Sequence, residues 1–299
     1  MNKIPLKDFF KNAEKTGYQL SPDGKHIAYL APFESRMNIH VRPIDGTAET
    51  RVTSVEDRDI SGFIWGSDSR ILYMRDFGGD ENFHILATNI DGTNDNDLTP
   101  FDGVRAQFID ELEDDDDYII VGLNKRNPQI FDPYRLNIET GALEMIAKNP
   151  GNITSWMTDH DGKLRLAIAT DGVNESILYR KTETDAFENV LTTNFKETLS
   201  PLFFTFDNQY IYAASNLGRD KTAIIQYDLV QNKEIEEIFS HPDVDVTDLS
   251  YSRKNKKLTT ISYNTWKRQY HFLSEKRAEL QEKLQQQLQG EVVLVSKNK

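Results

Sequence analysis

Tyr18-Gln19-Leu20-Ser21-Pro22-Asp23-Gly24-Lys25-His26-Ile27-Ala28-Tyr29-Leu30 sets how the rest of the chain is read. An apolar lead-in meets a four-residue turn, and a run rich in strand formers comes next. Pro22 presets φ for the turn. Asp23 can accept hydrogen bonds from the backbone amides just ahead of it, and Gly24 takes a conformation that other residues resist. The stretch predicts two antiparallel strands joined tightly. One hairpin says little, but this one recurs. Aligned on Asp23, the turn position falls at Asp68, Asp115, Asp161, Asp207 and, in the sixth copy, Lys254, spaced 45 to 47 residues apart.

A second turn keeps step with the first. It reads Asp45-Gly46-Thr47, Asp91-Gly92-Thr93, Glu139-Thr140-Gly141, Thr184-Asp185 and Val230-Gln231-Asn232. Each unit therefore holds about four short strands in roughly 46 residues, the size of a propeller blade. One such sheet cannot cover both its faces, whereas radial stacking does so and leaves only short edges. The fold class predicted is all-β, a β-propeller with about six four-stranded blades of an expected seven. The blades fall near 17–54, 60–99, 104–148, 152–193, 199–240 and 245–299, in one domain over 1–299 that stops before the last blade. An all-β sandwich is the alternative, but sandwiches lack a fixed repeat.

The sixth unit departs from the pattern. Ser274 to Leu288 is a helix signal, so a helical insertion is predicted near 274–289. Ser274 is placed to cap it, Leu280, Leu284 and Leu288 repeat on one face, and Gly290 stops it. Val292-Val293-Leu294-Val295 then reads as a strand. Trp65, Trp156 and Trp266, at or near the start of a unit's first hairpin, are expected to pack between blades rather than stack on a base or sugar.

Composition narrows the chemistry. The 299 residues are 38% hydrophobic, enough for a large core, and the net charge is −13. That balance disfavours nucleic acid and anionic membranes as partners. There is no cysteine, which excludes disulfides, thiolate catalysis and Cys-ligated zinc. No apolar run reaches signal-peptide or membrane-span length, so a cytoplasmic protein is expected. Neither Asp114–Asp117 nor the Asp91–Asp97 segment has the ligand spacing of a calcium loop, so each reads as a solvated turn, and no metal or cofactor is called for. The six histidines, His26, His40, His84, His160, His241 and His271, are scattered. No G-x-S-x-G nucleophile elbow occurs.

Ile4-Pro5-Leu6-Lys7-Asp8-Phe9-Phe10, followed by Lys15 to Lys25, resembles the opening of bacterial peptidases of the prolyl oligopeptidase family. The nearest branch is the acylaminoacyl-peptidase and dipeptidyl-aminopeptidase-like one. Arg75-Asp76 with Gly79-Asp80-Glu81-Asn82 resembles that group's blade-two loop, and Asn216-Leu217-Gly218-Arg219-Asp220 its blade-five loop. His241-Pro242-Asp243-Val244-Asp245 and Tyr270-His271-Phe272-Leu273 resemble later segments. The resemblance implies an N-terminal propeller followed by a C-terminal α/β-hydrolase domain that carries Ser, Asp and His. This chain would then be inactive alone, the gating and substrate-orienting part of a serine peptidase. Its partners would be that hydrolase domain and peptide substrates. The blade count adds a separate expectation: with one blade missing, unpaired strand edges beside blades one and six would invite self-association.

The resemblance also gives the candidate site residues Arg75, Asp80, Glu81, Asn82, Arg219 and Asp220. Asp80, Glu81 and Asn82 would meet a peptide's free amine, or else form a solvated loop of turn residues. Arg219 would fork onto a substrate carboxylate or carbonyl. The other reading has Arg219 and Asp220 fixing a blade loop or docking the hydrolase domain. A different function class stays open, a stand-alone TolB-like propeller that acts as a protein-binding scaffold.

Overall fold

The computed structural model describes residues 3–297, so the last two residues of the 245–299 segment lie outside the described residues. The strands form six antiparallel sheets in chain order, five of four strands and one of three. Blade one holds β1 (Thr16–Leu20), β2 (His26–Phe33), β3 (Arg36–Pro43) and β4 (Thr50–Arg51). Blade two holds β5 (Gly62–Ser67), β6 (Arg70–Arg75), β7 (His84–Asn89) and β8 (Asn96–Asp97). Blade three holds β9 (Ala106–Asp110), β10 (Tyr118–Asn127), β11 (Ile130–Asn137) and β12 (Leu143–Met145). Blade four holds β13 (Ile153–Thr158), β14 (Leu164–Thr170), β15 (Glu175–Tyr179) and β16 (Glu188–Thr193). Blade five holds β17 (Leu199–Phe204), β18 (Ile211–Ser215), β19 (Ala223–Asp228) and β20 (Lys233–Phe239). Blade six has only β21 (Val246–Ser252), β22 (Lys257–Asn264) and β23 (Arg268–Phe272). Within each sheet, neighbours in sequence are neighbours in space. This is the all-β propeller repeat, with one α-helix among the described residues, α1 (Glu275–Gln287), after the last strand.

The recurrent turn works as its residue types demand. Asp23 Oδ1 accepts the Ser21 hydroxyl at 2.7 Å and the Lys25 amide at 3.0 Å. Gly24 bonds back to the Ser21 carbonyl at φ +72°. These bonds to the anion hold the Asp23 carboxyl far below its ordinary value, the Ser21 hydroxyl contributing most. Blade five repeats the device with other residues. Asp207 Oδ1 accepts Thr205 Oγ1 at 2.5 Å, and Asn208 takes the left-handed place at φ +57°. In blade four the acceptor has moved two residues, and Asp159 rather than Asp161 caps the turn.

The chain divides into two compact units, Met1–Lys148 with Leu294–Lys299, and Asn149–Val293. In the first unit, β6 buries both faces. Ile71 and Tyr73 join a core with Ile39 and Val41 of blade one. Leu72, between them, joins a core with Ile119 and Val121 of blade three. Alternation with period two explains this split, and burial on both faces explains the unbroken apolar run Ile71-Leu72-Tyr73. Each such side chain contributes about 1.5–3 kcal/mol on burial. In the second unit, Ala213 and Ile225 pack with blade four, and Ala214 and Ile224 pack with blade six. Arg70 is fully buried between blades two and three, where its Nε donates to the Ile138 carbonyl at 3.2 Å and ion-pairs with Glu139 at 3.1 Å.

Blade six and the segment after it differ from the sequence expectation. Val292–Val295 forms no strand. The Val292 amide donates to Gln285 Oε1 at 3.2 Å, and its carbonyl accepts Gln281 Nε2 at 2.6 Å. Both backbone groups are thus taken by α1 side chains and are lost to a sheet ladder. Ser274 precedes α1 but its side chain makes no capping bond. Its amide still bonds to the Thr259 carbonyl, so the residue continues the extended path out of β23. No α1 residue is buried, and Leu280 and Leu288 of the leucine stripe are exposed. No helix among the described residues is long and apolar enough to cross a membrane. Trp156 is buried and Trp65 packs against the core of blades one and two. Trp266 is not a core residue. It stands 89% exposed at the tip of the β22–β23 hairpin, where no blade covers it.

Candidate functional site

The blade-two loop runs from Arg75, the last residue of β6, to His84, the first of β7. These two residues face each other across the ladder. Arg75 Nη2 reaches both oxygens of Asp57, at 2.8 and 2.9 Å. Partial burial pushes the Asp57 carboxyl up, but the Arg75 guanidinium and nearby backbone amides outweigh it and hold the group below its ordinary value. His84 Nδ1 lies 2.6 Å from Asp97 Oδ2.

The loop is closed at its base by Asp76, which is only 2% exposed. Its Oδ1 accepts Arg58 Nε at 3.3 Å and its Oδ2 accepts the Glu81 amide at 3.4 Å. Inside that closure the Asp80 amide bonds to the Phe77 carbonyl at 3.4 Å. Gly78 and Gly79 take φ +64° and +84°, as the tight reversal requires. Glu81 also sits at φ +60°, a rare place for a residue with a Cβ.

The candidate residues here have different fates. The Asp80 oxygens accept the Asn82 amide at 3.0 Å and its side-chain nitrogen at 3.2 Å. Desolvation pushes the Asp80 carboxyl up, but the Asn82 bonds and the Phe77 amide prevail and hold it low. Asp80 and Asn82 therefore satisfy each other, and Arg75 is neutralised by Asp57. Glu81 is exposed, and its carboxylate has no partner among the described residues. With no hydrogen bond to satisfy it, this carboxylate is free to receive a cation.

The blade-five loop lies in the other compact unit. Arg219 Nη2 bonds Glu234 at 2.7 and 2.6 Å, and its Nη1 bonds Glu237 at 3.1 Å. A register shift between β19 and β20 at this point moves the side-chain alternation by one residue and puts both glutamates on the Arg219 side. Both Nη groups are engaged within the blade. Asp220 is exposed and contacts Lys221 at 3.2 Å. Thus Arg75, Asp80, Glu81 and Asn82 share one loop, whereas Arg219 and Asp220 belong to a separate loop in the second unit.

Chemistry beyond binding finds no assembly. No histidine ring is hydrogen-bonded to a serine or threonine hydroxyl among the described residues. Among the same residues, no group of three or more His, Cys, Asp or Glu side chains is arranged to hold a metal ion. Sequence reasoning quoted Asp76 in the loop motif without giving it a role, and it missed Asp57, Arg58 and Asp97, which also fix the loop. Their only sequence signal is charge, and their pairing follows from strand register.

No protein-family model matches the chain. It is 30% identical over 236 residues to dipeptidyl aminopeptidase BIII of Pseudoxanthomonas mexicana, across 75% of this chain and 33% of that protein. It is 25% identical over 256 residues to dipeptidyl peptidase family member 6 of Caenorhabditis elegans, across 78% of this chain and 34% of that protein. The chain thus spans about a third of the length of these curated relatives. Among solved structures it is similar to a prolyl endopeptidase, with TM-score 0.56, 12% identity, and coverage of 87% of this chain and 42% of that one. It is also similar to an acylaminoacyl peptidase in complex with a peptidyl chloromethyl ketone, with TM-score 0.53, 13% identity, and coverage of 91% and 47%. The chain is a β-propeller domain related in fold to those of prolyl oligopeptidases and acylaminoacyl peptidases.

Proposed function

We propose that this chain is the gating and substrate-orienting propeller of a serine peptidase of the prolyl oligopeptidase family, in its dipeptidyl-aminopeptidase-like branch. Peptide hydrolysis would belong to a C-terminal α/β-hydrolase domain of the same polypeptide, by acyl transfer through a serine nucleophile. The observation that carries this reading is the 30% identity to a dipeptidyl aminopeptidase along a stretch amounting to a third of that enzyme. The blade-two loop supports it, because a buried carboxylate and two glycines present one unpartnered carboxylate, Glu81, to solvent. An ammonium docked there gains a charge-assisted hydrogen bond.

The role of Glu81 is tested by titrating the purified chain with a tripeptide bearing a free amine and with its N-acetylated form. The free amine is expected to bind about tenfold tighter, an advantage lost in Glu81→Gln. Equal binding of the two peptides would contradict the amine role. In the same preparation, turnover of dipeptidyl nitroanilides is expected to be absent, and hydrolysis that co-purifies with the chain would overturn the non-catalytic reading.

A further inference from the structure

Phe77 opens the same loop and is 42% exposed. Single exposed apolar side chains are common and need no explanation. This one is held from two sides by groups that are themselves fixed. The Arg75 guanidinium carbon lies 4.6 Å from the ring centroid, and Arg75 is pinned by the bidentate Asp57 pair. The His84 ring meets Phe77 edge-on at 5.1 Å and 69°, and His84 is pinned by Asp97. Arg75 and His84 are cross-strand partners, so the phenyl ring rests over a base built from both strands. The Arg75–Asp57 ion pair and the His84–Asp97 contact thereby hold one half-exposed ring in place.

The ring's position relative to Glu81 is set by the loop closure. Asp76 accepts the Glu81 amide, and the Phe77 carbonyl accepts the Asp80 amide inside it. Phe77 and Glu81 therefore emerge at the two ends of one small closed loop. A peptide's first side chain branches from the carbon that bears its amine. It is the side chain that stays nearest to an ammonium docked on a carboxylate. An immobilised aromatic ring there offers apolar contact area without the entropy of ordering a floppy side chain.

We propose that Phe77 is a specificity-determining contact, the floor of a subsite that takes an apolar side chain on the first residue of a free-amine peptide. This rests on the reading that Glu81 receives the amine. The test uses the 299-residue chain with Leu-Ala-Ala, Gly-Ala-Ala and N-acetyl-Leu-Ala-Ala, titrated by calorimetry or by NMR shifts. The expected preference for Leu-Ala-Ala over Gly-Ala-Ala is about tenfold. Phe77→Ala should abolish that preference while free-amine dependence remains, and Phe77→Leu should retain most of it. Glu81→Gln should weaken Leu-Ala-Ala and Gly-Ala-Ala alike and leave their ratio unchanged.

The two claims fail separately. A leucine preference undiminished in Phe77→Ala, or absent in the parent chain, overturns the subsite. A preference that vanishes in Phe77→Ala with no effect of acetylation or of Glu81→Gln upholds the subsite and removes the amine role. Absence of saturable binding by all three peptides overturns both. Phe77→Leu keeps the apolar volume, so if Phe77→Ala misfolds by circular dichroism, the chain carrying leucine decides. Loss of the leucine preference in Phe77→Leu would then overturn the apolar subsite.

Discussion

Glu81 holds a backbone conformation that costs an ordinary residue about 1–2 kcal/mol, at φ +60° on a surface loop. Strain of this kind persists where the surroundings impose it, here the Asp76 bond to the Glu81 amide. Glu81→Gly is therefore expected to stabilise the fold by about 1 kcal/mol while it removes amine binding. The urea midpoint checks the first part, and a midpoint below that of the parent chain would contradict the strain. Asp80, Glu81 and Asn82 read in the sequence as one acidic cluster, but the structure separates them. Asp80 accepts Asn82, and the Glu81 carboxylate is left without a partner among the described residues. Sequence could not show this, because residue types alone do not say that Asp80 accepts Asn82 while Asp76 accepts the Glu81 amide. Arg219 was legible as a residue with two alternative roles. Which partners hold it depends on a register shift in β20 that no residue type announces.

At the scale of the element, the turns were the legible part. Ser21, Asp23 and Gly24 carry their geometry in their side chains, so the hairpins follow from local chemistry. The predicted strand at Val292–Val295 does not form, and the amide and carbonyl of Val292, its first residue, instead bond Gln285 and Gln281 of α1. Blade one carries its own titratable cluster. Glu49 accepts hydrogen bonds from Tyr29 and from Lys15, the latter at 3.0 Å, and sits 2.7 Å from His40 Nδ1. The Tyr29 hydroxyl leads in pushing the Glu49 carboxyl down to about 2 from an ordinary 4.5. Burial pushes His40 below its ordinary 6.5. In both cases the unfolded chain binds the proton first, so stability rises with pH. Stability should begin to fall as pH drops through 6.5, with His40, and fall further from 4.5 toward 2, with Glu49. Glu49→Gln should be less stable at neutral pH and lose the lower part of that slope. Urea midpoints measured across the range check this, and an unchanged slope in the variant would contradict it.

For the whole molecule, the fixed spacing of one hairpin was enough to give the propeller, because each sheet needs a neighbour on both faces. The split of Ile71, Leu72 and Tyr73 between two cores shows that need met within one strand. Function was less legible, since the chain matches only about a third of its curated relatives and the chemistry would lie in the remainder. Under the proposed function, this propeller serves a serine hydrolase domain on the same polypeptide. The most direct measurement is the sequence of the source gene downstream of the codon for Lys299. The expected result is an open frame long enough for an α/β-hydrolase domain, with G-x-S-x-G, then the acid, then the histidine in that order. A stop codon directly after Lys299 would contradict the claim and leave the propeller as a binding scaffold.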